Sequence, residues 1–151
     1  MAHDPESAKA IEQIAKSLAD AWNRHDARAF AAIFAQDADF TNVFGMQAKG
    51  REAIEAFHRP MFDTMFSDSR VTLGEMRTRL IRPDVAAVDI RWSMTGARDP
   101  SGAEWPRRSG LMNLLVTLEA GAWSIAVMHN MDLPDPHVGE ALERLQAEKQ
   151  S

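Results

Sequence analysis

His58 stands on an apolar stripe made with Ile54, Phe57, Met61, Phe62 and Met65, and an imidazole that is neutral near pH 7 can act there as general base or acid. The same position suits a histidine that hydrogen-bonds inside a core, and spacing alone does not separate the two. Asn42 shares a strand face with Phe40 and Phe44. An amide so placed must find a partner in a neighbour or a ligand, because burying it unpaired costs about 1–3 kcal/mol. Asp39 alternates with them and becomes a carboxylate base if the strand is turned the other way; otherwise it is a cap or surface pair beside Asp37. Phe40, Trp92 and Met112 read as walls of a binding cavity. Arg108 can neutralise an acidic ligand if it lies inward with Met112, and forms a rim salt bridge if it does not.

Other chemistries are excluded by what the chain lacks. There is no cysteine, which removes disulfides, thiolate metal sites and thiol nucleophiles and fits a cytoplasmic protein. The histidines at 3, 25, 58, 129 and 137 show no i, i+4 pair, so a metal would have to be held across the fold by His58, His129 and a carboxylate; the expectation is no metal and no other cofactor. No tyrosine is available for an oxyanion hole of the steroid-isomerase type. Asp89 and Arg91 share a face opposite Ile90 and Trp92, which puts them outside any cavity and away from an Asp-Arg-Asp epoxide-hydrolase arrangement. A net charge of -5, with Lys and Arg scattered among acids, argues against nucleic acid as a partner. No apolar run is long enough for a membrane span, and the N-terminus lacks a leader pattern.

The elements that must position these residues follow from periodicity. Asp4-Pro5-Glu6 starts a helix, and Ile11, Ile14, Ala15, Leu18 and Trp22 give it one apolar face until Asn23–Asp26 breaks it. Asp26 caps a second short helix carrying Phe30, Ile33 and Phe34 up to Gln36-Asp37. Ala38–Phe44 alternates as a strand, and Gly45 turns it. The third helix starts at Lys49-Gly50-Arg51 and holds Pro60, where a kink or break is expected. From Arg70 the period is two: Val71–Arg82, Val85–Thr95, Arg107–Leu118 and Trp123–Met131 are strands, with the loop Gly96–Pro106 between the second and third. Residues 1–5 and the stretch 134–151 are tails, the latter flexible or a short helix. Leu111 and Leu115 make the outer sheet face apolar, which predicts a homodimer through that face, with Val71 and Leu73 as further candidates.

This ααβαββββ order carries D-A-D-F-T-N-x-x-G, K-G-R-E-x-I, R-P-D-V-A and G-x-W-S-I-x-x-x-H-N. Together they resemble the nuclear transport factor 2-like superfamily, in its SnoaL-like and SgcJ/EcaC-type branch, over about residues 8–133. The resemblance implies one α+β, cone-shaped domain spanning 1–151, with a strongly curved, mostly antiparallel sheet wrapped around the N-terminal helices. It also places His129 and Asn130, the terminal H-N signal, at the wall or mouth of the cone, and a regular strand turns only one of them inward. The implied function is a cofactor-independent isomerase, cyclase or dehydratase acting on an apolar, carbonyl-bearing, polyketide-like molecule. His58 then moves the proton, Asn42 and Asn130 hold the oxygen, and Phe40, Trp92, Met112, Arg108 and His129 contact the substrate. A non-catalytic binding or assembly module is the alternative on the same scaffold. The oxidoreductase label attached to the SgcJ/EcaC type finds no glycine-rich dinucleotide fingerprint here.

Overall fold

The computed structural model describes residues 4–134 and 136–150; positions 1–3 of the expected N-terminal tail lie outside them. Helix α1 spans Pro5–Asn23, with the Asp4 carboxylate accepting from the Glu6 amide and from the Ser7 hydroxyl. Its apolar face, Ile11, Ile14, Ala15 and Leu18, is buried. The residue that ends the helix also fastens it. The Asn23 amide donates to the Val71 carbonyl at 3.0 Å and accepts from the Val71 amide at 2.7 Å, so the helix end is clamped to the start of a strand.

Asp26 caps α2, Ala27–Ala32, through the Ala29 amide at 2.9 Å. Losing such a cap costs about 1 kcal/mol, so Asp26→Ala is expected to lower the unfolding free energy by that much, read as a lower urea midpoint with an unchanged denaturant slope. An unaltered midpoint would show that packing of Phe30, not the cap, holds this six-residue helix.

Six strands form one curved, unclosed sheet in the order β2-β1-β6-β5-β4-β3. They are β1 (Phe34–Thr41), β2 (Gln47–Lys49), β3 (Arg70–Arg82), β4 (Val85–Thr95), β5 (Arg108–Glu119) and β6 (Ala122–Asp132), with α3 (Arg51–Asp63) after β2 and α4 (Pro136–Gln150) at the end. All neighbouring strands are antiparallel except β1 and β6. The α+β order read from the sequence is thus present, with the short β2 added, and the helical alternative for the C-terminal stretch is found as α4.

Boundaries near β1 move for a physical reason. Phe34, expected within the second helix before its end at Gln36-Asp37, begins the strand, because it pairs with Ile125 of β6 and the Ile125 amide donates to the Ile33 carbonyl at 3.1 Å. At the other end the strand stops before Asn42, where a tight turn with Gly45 at φ 79° leads into β2. Helix α3 continues past Pro60 to Asp63. Arg51 ties its first turn to β1, giving Nε and Nη2 to the Phe34 carbonyl at 3.0 and 2.8 Å.

Alternation on β4 buries Ala86, Val88, Ile90, Trp92 and Met94, and β5 buries Arg108, Gly110, Met112, Leu114 and Val116 on the same face. These residues meet α1 and α3 to form the core. Val71 and Leu73, suggested for an outer interface, pair with Met94 and Trp92 and line the interior instead. Asp89, Arg91, Leu111, Asn113 and Leu115 occupy the outer face, where Asn113 donates to Asp89 at 2.6 Å. No helix among the described residues is long and apolar enough to cross a membrane.

Candidate functional site

A cavity of about 80 Å³ opens between α1, α3 and the inner face of the sheet, room for a few waters or one ring-sized organic group. Its wall is largely apolar, including Phe40, Trp92 and Met112 at 4–6% exposure. Phe44, at 54% exposure the most open of the lining residues, marks the mouth, and it stacks on Trp105 of the β4–β5 loop at 5.9 Å. Among the described residues no Asp or Glu lines this cavity, and no group of three His, Asp or Glu is arranged to hold a metal ion.

His58 lies on the cavity face of α3, 2% exposed. Five aromatic rings surround it, with centroids from 4.4 Å for Phe30 and 4.8 Å for Phe40 to 6.2 Å for Trp22. Its Nδ1 is 2.7 Å from the Ile54 carbonyl. A carbonyl only accepts, so the neutral ring carries its proton on Nδ1 and leaves Nε2 as a bare acceptor. Desolvation by these rings lowers the pKa to about 4, against a smaller opposing effect of the Ile54 bond. The imidazole is therefore uncharged at neutral pH.

Both asparagines have their orientation fixed by donors. The Asn42 oxygen accepts from the Phe44 and Met46 amides, each at 2.9 Å, closing the β1–β2 turn. The Asn130 oxygen accepts from the Trp92 indole N–H at 2.7 Å. An indole N–H and a backbone amide can only donate, so each side-chain NH₂ group is what remains for another partner. Neither NH₂ has one among the described residues, and both asparagines line the cavity.

Asn130 reaches the interior because β6 carries a bulge. Leu115 pairs with Val127 and Val116 with Ile125, leaving Ala126 unmatched. The extra residue reverses the parity, so Ile125 and Met128 are buried while Val127 and His129 face the other side. His129, expected to contact a substrate, is exposed on the outer face and does not line this cavity. It borders a separate pocket of about 190 Å³ with Asp39 and Lys49, where Asp39 pairs with Lys49 at 3.6 Å.

Arg108 is 8% exposed and lines the cavity with Met112. Its Nη2 donates to Asp132 at 2.7 Å, and its guanidinium carbon lies 3.9 Å from the centre of the Trp105 ring. The salt bridge and the inward position, weighed as alternatives in the sequence, occur together. Sequence reasoning missed Trp105, Asp132 and Gly110. Gly110 faces Trp92 across β4 and β5, where a Cβ would fall 2.1 Å from the indole; a glycine inside an otherwise apolar strand is the signal for such a close approach.

The family described as the SnoaL-like domain matches residues 15–123. No curated protein matches the chain. Among solved structures, an uncharacterized protein with a cystatin-like fold from Caulobacter vibrioides is similar at a TM-score of 0.85 and 28% identity, covering 93% of this chain and 99% of that one. A domain of unknown function with a cystatin-like fold from Nostoc punctiforme PCC 73102 is similar at 0.79 and 25% identity, covering 98% and 93%. A hexachlorocyclohexane dehydrochlorinase (LinA) of type 2 shares the fold at 0.74 and 13% identity, over 85% of this chain and 90% of that one.

Proposed function

Because the chain belongs to the SnoaL-like domain family of the nuclear transport factor 2-like superfamily, we propose that its cavity takes up a small apolar molecule by an oxygen atom and moves a proton on it. The observation that carries this reading is the sorting of polar atoms in an apolar cavity. Both asparagine oxygens are already satisfied, which leaves NH₂ donors for a carbonyl oxygen and the His58 Nε2 lone pair as an acceptor. Polar groups placed sparsely on an apolar wall are how small-molecule sites fix orientation.

The step is a carbon-acid deprotonation. His58 Nε2 takes a proton from the carbon next to the carbonyl, the C–H electron pair forms a carbon–carbon double bond while the carbonyl π pair moves to the oxygen, and the amide groups of Asn42 and Asn130 hold the resulting enolate. Return of the proton to another carbon gives isomerisation, attack of the enolate carbon on a second carbonyl gives cyclisation, and loss of a β-hydroxyl as water gives dehydration. The step itself calls for no cofactor. A cavity of about 80 Å³ admits one ring, so a larger, polyketide-like substrate leaves the rest of its body at the Phe44 mouth. The dehydrochlorinase that shares the fold supports a small-molecule reaction by analogy of scaffold.

Deuterium incorporation into cyclohexanone in heavy water, followed by NMR, tests the proposal. His58→Gln is expected to slow the exchange at least tenfold while the near-ultraviolet circular dichroism stays unchanged. A second reading, binding without chemistry, is favoured by one feature: no carboxylate among the described residues backs the imidazole, whose pKa of about 4 makes it a weak base. Binding of cyclohexanone with equal exchange in both proteins would establish that reading.

We also propose a cytoplasmic homodimer through the outer sheet face, where Leu111 is half-buried and Leu115 and Met131 are 37% and 42% exposed. Sedimentation velocity at micromolar concentration is expected to give the dimer mass for the wild type and the monomer mass for Leu111→Asp. A wild-type monomer would remove the interface.

A further inference from the structure

We propose that the molecule held in the cavity carries a carboxylate, seated on Arg108. This deepens the cavity reading above and rests on it. Arg108 is a cation that is more than nine-tenths buried, at the start of β5 where the sheet meets the mouth. A guanidinium has five N–H donors, and few of them are used here. Nη2 donates to Asp132, Nη1 meets only the Met94 sulfur at 3.9 Å, and Nε is buried without any hydrogen-bond partner. Buried arginines normally satisfy their planar fork on paired oxygens, so this one is short of acceptors.

The surroundings define what is missing. Asp132 is 39% exposed in its side chain and touches a single nitrogen, so the pair is not the closed, two-pronged contact of a structural bridge. The Trp105 ring lies 3.9 Å from the guanidinium carbon and that of Trp92 5.4 Å. Two aromatic rings therefore hold the guanidinium in one place. The Met94 thioether, a weak acceptor on a flexible stem, occupies the position at Nη1 that an oxygen anion would take, and Met94 itself lines the cavity. The NH₂ groups of Asn42 and Asn130 add further donors on the same cavity wall. With no acid among the described lining residues, an entering carboxylate meets one cation, and the like charge nearest that cation is Asp132 on Nη2. The ligand class is thus a ring-sized apolar acid.

Titration calorimetry at pH 7 with benzoate and with acetophenone, its uncharged counterpart of similar shape, separates the claims. The wild type is expected to bind benzoate at least tenfold more tightly. Arg108→Gln is expected to abolish that preference while still binding acetophenone, which leaves the cavity reading standing on its own. Asp132→Asn, at a position exposed enough to be tolerated, frees Nη2 and is expected to tighten benzoate binding severalfold; a purely structural Arg108–Asp132 bridge predicts no gain. Equal affinity for the two probes, a preference that survives Arg108→Gln, or no gain in Asp132→Asn would overturn the carboxylate seat. Failure of both probes to bind would overturn the cavity reading with it.

Discussion

Taking the protein from pH 7 to pH 4 is expected to remove about 3 kcal/mol of stability through His58 alone. The side chain has a pKa of about 4 in the folded state and an ordinary value of 6.5 when exposed, and each unit of difference is worth 1.36 kcal/mol. Because the folded value is the lower one, the unfolded chain takes up the proton first. The contribution is complete above pH 6.5 and is lost progressively as the pH falls toward 4. Its cause is physical and local: a charged imidazole inside a ring of Phe30, Phe40, Phe57, Phe62 and Trp22 gives up its hydration and gains no carboxylate among the described residues. Urea unfolding at pH 7.5, 5.5 and 4.5 should show wild type and His58→Gln converging as the pH drops, since glutamine cannot take up the proton. Curves that stay parallel would mean that His58 titrates normally and that the aromatic box is open to water.

Gly110→Ala should cost a similar amount, about 3 kcal/mol, at the upper end of ordinary overpacking. The added methyl would lie 2.1 and 2.3 Å from two atoms of the Trp92 ring and 2.5 Å from the Met131 carbonyl. A methyl cannot rotate away, and the carbonyl belongs to the β5–β6 ladder, so the indole must move. Its displacement breaks the 2.7 Å bond to Asn130 and frees that amide to flip. Loss of stability should therefore come with a change in tryptophan fluorescence. Gly139→Ala in α4 is the control: nothing lies within 4 Å of its Cβ position, and alanine is the better helix residue by about 1 kcal/mol. If Gly110→Ala matched that control, the close packing of Trp92 on β5 would be refuted.

Most of the architecture is legible in the chain because its two periods are clean. Ala86, Val88, Ile90, Trp92 and Met94 alternate without interruption, and so do Met112, Leu114 and Val116. Phe34 was harder to read, since one apolar residue at the end of a helical stripe fits a strand equally well; only pairing with Ile125, far away in sequence, decides it. The three-residue β2 leaves too short a pattern to recognise. At the site, the inward faces of Phe40, Trp92, Met112 and His58 follow from strand and helix parity. The orientation of His129 and Asn130 does not, because a single unmatched residue, Ala126, reverses the parity of everything after it. Asn42 shows a further limit. Its alternation with Phe40 points to the interior, but its oxygen is taken by the turn amides of Phe44 and Met46, a local competition that asparagine commonly wins. The surroundings of Arg108 lie beyond sequence reading altogether, since Trp105, Asp132 and Met94 come from three separate segments.

The proposed chemistry requires His58 to present an open, unprotonated Nε2 to a cavity that takes an oxygen-bearing apolar molecule. A long-range proton–nitrogen NMR spectrum of the imidazole side chains at pH 7, with His58 assigned by its absence in His58→Gln, addresses it directly. A neutral ring protonated on Nδ1 is expected, with an Nε2 resonance that shifts when acetophenone is added. A ring protonated on Nε2, or an Nε2 resonance unmoved by acetophenone at saturation, would contradict it.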